Sequence, residues 1–196
     1  MAKTDVDIAA SALIMIGAKP ISSFSGSMTE QVVANAVYED IVESALGMHR
    51  WRFSTGQSQL SRLSAAPEAR WDAAYQLPTD PAILQLNAIT VSDSLLSYDR
   101  YEDMIYCDAS ENDVVVADYL YRSSEGSWPA TFRIAIIFDL ASTFATAIAR
   151  DDDMATALAQ QAEVKYARAK SIDAQQQPAR RAPVSRFLSA RRGGGL

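Results

Sequence analysis

The stretch from Trp128 to Ala174 opens Trp128-Pro129-Ala130-Thr131-Phe132-Arg133-Ile134-Ala135-Ile136 and carries the longest nearly uninterrupted helical pattern in the sequence. A proline at its start suits a first helical turn, where the missing N–H costs nothing. Phe132, Ile136, Leu140, Phe144, Ala147 and Ile148 then recur at spacings of three and four, which is one apolar face of a helix. Ile134, Ala135, Ile137, Phe138, Ala141 and Ala145 are apolar as well, so this helix is expected to be covered on more than one side.

Asp151-Asp152-Asp153 interrupts the pattern, and a second helix is predicted through Met154, Ala157, Leu158, Gln161, Val164, Lys165, Arg168 and Ile172. Together the two form a hairpin. The alanine-rich face permits close helix axes, and about 20 residues at 1.5 Å each give an arm roughly 30 Å long. The three aspartates read as N-cap and first-turn acids favoured by the helix dipole. Their other reading, a divalent-cation site, lacks a second set of carboxylates at ligand spacing.

Working outward, the upstream half supplies two more helices. Thr4 caps the first, Asp5 and Asp7 fill its first turn, Ile8, Ala12, Leu13 and Ile16 face the core, and Gly17 stops it. Ser27-Met28-Thr29-Glu30 has the form of a capping box for the second, whose broad face is Val32, Val33, Ala36, Val37, Ile41, Val42, Ala45 and Leu46, with Gly47 as its stop. Trp51-Arg52-Phe53 reads as a short extended segment leaving the helices, its aromatics pinned beneath it. Two arginines beside two aromatics are a weak nucleic-acid signal, and packing is the simpler reading.

The middle of the chain alternates as strands do. Residues 57 to 70 are mixed, Trp71 to Tyr75 opens a β-rich region, and Tyr75-Gln76-Leu77-Pro78-Thr79-Asp80-Pro81 runs into a proline-fixed turn. Ile83 to Val91, Tyr98 to Tyr101, Met104 to Cys107 and Val114 to Leu120 are further strands, with Ala109 to Asp113 as a loop. The expected fold is therefore α+β, mainly α. It is a four-helix core (residues 1–50 and 127–175) with one small antiparallel β-sheet inserted between helices 2 and 3 (residues 51–126). An extended basic C-terminal arm (residues 176–196) completes it.

Composition narrows the function. Hydrophobic residues at 48% and charged residues at 21% suit a globular protein, no run of about 18 apolar residues stands out for a membrane helix, and the N-terminus lacks a signal-peptide core. A cytosolic chain is expected. His49 and Cys107 are the only residues of their kinds, which removes disulfide frameworks, Cys/His zinc sites and all but one possible His-based pairing. His49 reads as a packed or surface residue at a helix end and Cys107 as a small strand residue. Asp99, Glu102, Asp103 and Asp108 could supply a carboxylate pair, yet at strand and turn positions they read as solvated edge charges. No catalytic residue, metal or cofactor is expected.

Charge is unevenly spread. From Gln175 onward there are five arginines and no acid, so the tail carries +5 against a total of −6, which leaves −11 on the rest. One reading of the tail is a solubilising end that would not fold alone. The other is an arm ordering on a partner, with arginines meeting carboxylates or phosphates around an apolar Phe187-Leu188 anchor.

Several landmarks in this order resemble the head-to-tail adaptor (connector) family of tailed bacteriophages, the group that includes tail tubular protein A of short-tailed phages. They are Ala12-Leu13-Ile14-Met15-Ile16-Gly17-Ala18-Lys19-Pro20-Ile21, then Trp51-Arg52-Phe53 after a helix with Tyr38 and Ala45-Leu46, Tyr75-Gln76-Leu77-Pro78-Thr79-Asp80, and Trp128-Pro129 before the alanine-rich hairpin. The resemblance implies a non-catalytic structural virion protein of the neck, made in the host cytoplasm. Such proteins form a ring, commonly of twelve copies, below the portal. The ring extends the channel for DNA ejection without sequence-specific binding and takes part in tail assembly.

Carried onto this chain, the portal-binding arm becomes residues 180 to 196, with Arg180, Arg181, Arg186, Phe187, Leu188, Arg191, Arg192 and Leu196. The sheet of residues 75 to 121 becomes the part facing a downstream tail or nozzle protein. Neighbouring copies in a ring meet through different surfaces, so the hairpin residues Phe132, Ile136, Leu140, Phe144, Ile148 and Leu158 are the candidate inter-subunit set. No membrane partner is implied. The competing reading is a cytosolic phage DNA-binding or DNA-packaging factor whose Arg-rich tail touches phosphates, against which the −11 of the remaining chain argues.

Overall fold

Thr4 starts the first helix, α1 (Asp5–Met15), through a reciprocal pair: Asp7 N–H donates to Thr4 Oγ1 at 3.2 Å, and Thr4 N–H donates to Asp7 Oδ2 at 2.9 Å. The bond from the Thr4 backbone holds the Asp7 carboxyl below its ordinary range. Gly17, at φ +75°, ends the helix, its N–H donating to Ile14 O and that of Ala18 to Leu13 O. The computed structural model describes residues 3–64, 70–92 and 94–176.

The second helix, α2 (Thr29–Gly47), starts differently from expectation. Its N-cap is Met28, which makes no side-chain bond, so the Ser27–Glu30 capping box does not form. Gln31 instead reaches back with Nε2 to the carbonyls of Ser23 at 3.2 Å and Ser25 at 3.0 Å, drawing the loop over the helix start. A side chain at Gly26 would collide with that amide. Gly47 is the last helical residue and not the stop. The buried face is also turned: Ala34, Tyr38, Val42, Ala45 and Leu46 point inward, while Val32 and Ala36 are exposed.

Helices α3 (Ala130–Phe144) and α4 (Asp152–Gln175) form the hairpin. A turn of π-helix, Ala145–Ala149, joins them, and Arg150 takes a left-handed conformation at φ +54°. Asp151 caps α4, its Oδ1 accepting from Met154 N–H at 2.9 Å, with Asp152 and Asp153 in the first turn. The inward face of α4 is Ala162, Tyr166, Ala169 and Asp173, so Ala157, Gln161, Val164 and Arg168 lie outward, against the sequence reading.

All four helices feed one apolar cluster, in which α3 packs on α1, α2 and α4. Of the apolar positions of α3 outside its first stripe, Ala135, Ala141 and Ala145 are fully buried, Ile137 and Phe138 pack partly against this cluster, and Ile134 is exposed. Residues Ala130–Ala149 are nonetheless long and apolar enough to cross a membrane by length and composition, which corrects the expectation that no such run exists. Packing of Phe132, Ile136, Leu140 and Phe144 against sibling helices accounts for that composition.

The β-rich segment holds two antiparallel sheets and not one. The first has the order β1 (Thr55–Gln59), β8 (Val115–Tyr121), β4 (Ile83–Val91), β5 (Ser94–Leu95); the second, β2 (Ser61–Arg62), β3 (Ala73–Gln76), β7 (Met104–Cys107), β6 (Tyr98–Tyr101). The chain changes sheet at Leu60, whose N–H donates to Val115 O while Leu63 N–H donates to Ala74 O. Between the sheets Leu60, Tyr75, Ile89, Ile105, Cys107, Ala117 and Tyr119 form a second core. Gly56 is required there, since a Cβ would sit 2.8 Å from the Tyr119 ring that lies across it. Trp51 is extended as expected, but Arg52–Ser54 is a 3-10 turn.

The β-rich segment leaves and rejoins the helices at two buried tryptophans. Trp51 Nε1 donates to Ala45 O at 2.9 Å, and Trp128 Nε1 to Ser123 O at 3.1 Å. Both rings meet Phe132, at centroid distances of 4.8 Å and 5.2 Å, and Phe53 joins at 4.9 Å. Phe132→Ala is expected to lower stability by about 3–5 kcal/mol in urea unfolding. Val164→Ala, on the exposed face, is expected to change it by less than about 0.5 kcal/mol.

Candidate functional site

The candidate inter-subunit residues of the hairpin divide in two. Phe132, Ile136, Leu140 and Phe144 are buried in the chain's own core, so they cannot be the surface that meets another copy. Ile148 and Leu158 are partly buried and pack against the same core. The reason is that α1 and α2 occupy the second side of α3 that the sequence reading left for a neighbour. Arg180, Arg181, Arg186, Phe187, Leu188, Arg191, Arg192 and Leu196 lie outside the described residues.

A polar concavity sits where the end of α2, the end of α4 and the first sheet converge. A cleft of about 550 Å³ is lined by His49, Arg50, Arg52, Thr55, Asp118 and Asp173. Asp173 is its buried centre: its carboxylate accepts from Arg52 N–H at 3.3 Å and faces His49 Nε2 at 3.5 Å. His49 is set edge-on against Trp51 at 4.8 Å. On the other wall Asp118 meets Arg50 at 3.5 Å and accepts from Gln57 Nε2 at 2.8 Å. Thr55 Oγ1 donates to Trp51 O at 2.7 Å, so the one hydroxyl beside the histidine is held by the backbone. Through Asp173 the arrangement ties the end of α4 to the start of the β-rich segment.

A second clamp ties the end of that segment to α2. Arg122 meets Glu39 and Glu125, each at 2.5 Å, donates to Ser123 O, and lies 5.4 Å over the Trp128 ring. Tyr38 Oη donates to Glu125 at 3.2 Å. Burial alone would lower the Arg122 pKa, and the two carboxylates more than offset it. The Tyr38 hydroxyl is pushed well up, first by burial and then by the Glu125 charge.

The strand carboxylates are engaged separately. Asp99 Oδ2 accepts from Arg70 and from Trp71 Nε1, each at 3.0 Å, and Asp108 accepts from Asp72 N–H. Glu102, at φ +54°, and Asp103 make the β6–β7 turn. Cys107 is buried in β7, and burial followed by the Asp108 charge raises its thiol. Among the described residues no group of three or more His, Cys, Asp or Glu is placed to hold a metal ion.

Arg122, Asp139 and Asp173 were not singled out from sequence. Each is an ionisable residue at an apolar junction, and in Phe138-Asp139-Leu140 that context was the available signal. Asp139 accepts from Tyr166 Oη at 2.9 Å across the hairpin. Burial raises the Asp139 pKa while the Tyr166 bond opposes it, and burial and the Asp139 charge raise Tyr166.

No family model matches the chain, and no curated protein matches it either.

A folded-state pKa above the unfolded one gives stability below the unfolded carboxylate value, roughly 4, which is lost as pH rises through the folded value. Asp139→Asn keeps an acceptor for Tyr166 and removes that loss. Thermal melts should therefore place Asp139→Asn above the parent chain at neutral pH, with the gap closing below about pH 4. A gap that persists in acid would mean the charge is not its cause.

Proposed function

We propose that this chain is a head-to-tail adaptor of a tailed bacteriophage: a non-catalytic virion protein that forms a ring below the portal, extends the DNA channel and offers the docking surface for the tail. In this reading the four helices are the ring-forming core, the β-rich segment is an insertion facing the next tail component, and residues 176–196 are the portal-binding arm. The observation that carries it is the ordered set of landmarks from Ala12 to Trp128, together with the role two of them play. Trp51 and Trp128 hold the β-rich segment at both crossings, as a part under load during DNA passage requires.

Two further features support it. The −11 outside the tail would line a channel with a wall that does not grip phosphates. The α4 helix, of 24 residues or about 36 Å, ends beside Arg52, and residues 177–196 can reach at most about 70 Å beyond it. That is long enough to pass an adjacent subunit and meet another ring.

Light scattering of the purified chain, alone and with the portal protein of the same source, tests the reading. A large complex only with portal is expected. Deleting residues 178–196 should abolish attachment and leave the circular dichroism spectrum unchanged, and retained attachment would sink the arm's role. A stable small oligomer that ignores portal and shifts DNA at low salt would favour a DNA-binding factor instead.

A further inference from the structure

The cleft beside Asp173 holds more hydrogen-bond donors than its own residues use. Two arginines, Arg50 and Arg52, line it with two acids, Asp118 and Asp173, and with His49 and Thr55. The acids are recessed and engaged, with side-chain exposures of 24% for Asp118 and 7% for Asp173. Both Asp173 oxygens face the Arg52 N–H, at 3.3 Å and 3.4 Å, and Asp118 accepts from Gln57. The cations stand forward. Arg50 is 54% exposed and meets Asp118 as an ion pair at 3.5 Å. Arg52 is exposed, and its guanidinium makes no hydrogen bond or ion pair among the described residues. The same two arginines flank Trp51 and Phe53, the aromatic and basic cluster of the sequence. Its stacking half is spent, because Trp51 is buried and Phe53 packs on Trp51 and Phe132. Base stacking needs a free ring face, whereas a phosphate needs only donors.

We infer that this cleft binds a phosphate group, held by the Arg50 and Arg52 guanidiniums with His49 at its wall. Each guanidinium presents a planar fork of N–H donors, and a phosphate supplies several acceptor oxygens that two forks can share. Two arginines balance two aspartates in the lining, so no long-range field draws the ligand in. Affinity then comes from short, charge-assisted hydrogen bonds made inside the cleft, and it is modest. The volume of about 550 Å³ falls within the range of small-ligand sites, roughly 300–1,000 Å³. The inference does not depend on the adaptor reading.

Nuclear magnetic resonance of the untagged full-length chain tests this, because His49 is its only histidine and its imidazole signals have no background. At fixed pH and matched ionic strength, inorganic phosphate is expected to move those signals saturably in the millimolar range, while sodium acetate leaves them in place. Arg52→Ala removes the guanidinium and keeps the N–H bond to Asp173, so it should weaken the phosphate response about tenfold without unfolding the chain. Arg52→Lys should recover part of the loss, and Arg100→Ala, exposed on the second sheet, should change nothing. A short duplex DNA separates the sources of the phosphate. A response to inorganic phosphate alone assigns a small phosphate-bearing ligand, and a response to the duplex that disappears in Arg52→Ala assigns a nucleic-acid backbone. Acetate matching phosphate, an undiminished response in Arg52→Ala, or silence to both probes overturns the inference.

Discussion

Phe132 is the contact on which the two cores depend. Its ring receives Trp51 from one side and Trp128 from another, so the two points where the β-rich segment joins the helices rest on one side chain. Segments joined at both ends to a fixed body lose the freedom to swing. The closure entropy of that long loop is offset at a site already buried by α3 packing. Each indole N–H is also spent on a backbone carbonyl, which fixes ring orientation as well as depth. Around this aromatic centre two ionic clamps act at the rim: Asp173 with His49 and Arg52 on one strand of the crossing, Arg122 with Glu39 and Glu125 on the other.

The rim clamps differ in kind. Arg122 stays charged because two carboxylates outweigh its desolvation, so its clamp persists across ordinary pH. The Asp173 clamp uses a backbone N–H and a histidine. The Arg52 N–H donates to the Asp173 carboxylate at 3.3 Å, and His49 Nε2 lies 3.5 Å from it. The end of α4 is thus tied to the start of the β-rich segment through a backbone hydrogen bond.

Strong alternation and strong caps were legible before any coordinates. Tyr98–Tyr101, Met104–Cys107 and Ile83–Val91 appear where period two placed them, and Thr4, Gly17 and Asp151 cap as their chemistry requires. What failed has physical causes. Thr55-Gly56-Gln57-Ser58-Gln59 has no apolar residue, so β1 could not be seen; it forms because β8 offers an edge to pair with. Pairing between distant strands leaves no local trace, so one sheet was expected where Leu60 divides two. In α4 the alanines hid the face. With Ala at 155, 157, 159, 162, 167 and 169, hydrophobicity does not say which side is inward, and the decision falls to Tyr166 and Asp173, which bond to partners across the chain.

That misplaced face leaves apolar residues at the surface. Ala157, Val164 and their neighbours on α4 read as core in the sequence and lie in solvent in the single chain, as does Val32 on α2. Scattered exposed apolar residues of this kind need no special explanation. A chain of net charge −6 repels its copies over a distance of about 8–10 Å at physiological salt. Contact between copies is favoured only where opposite charges are brought closer than that range.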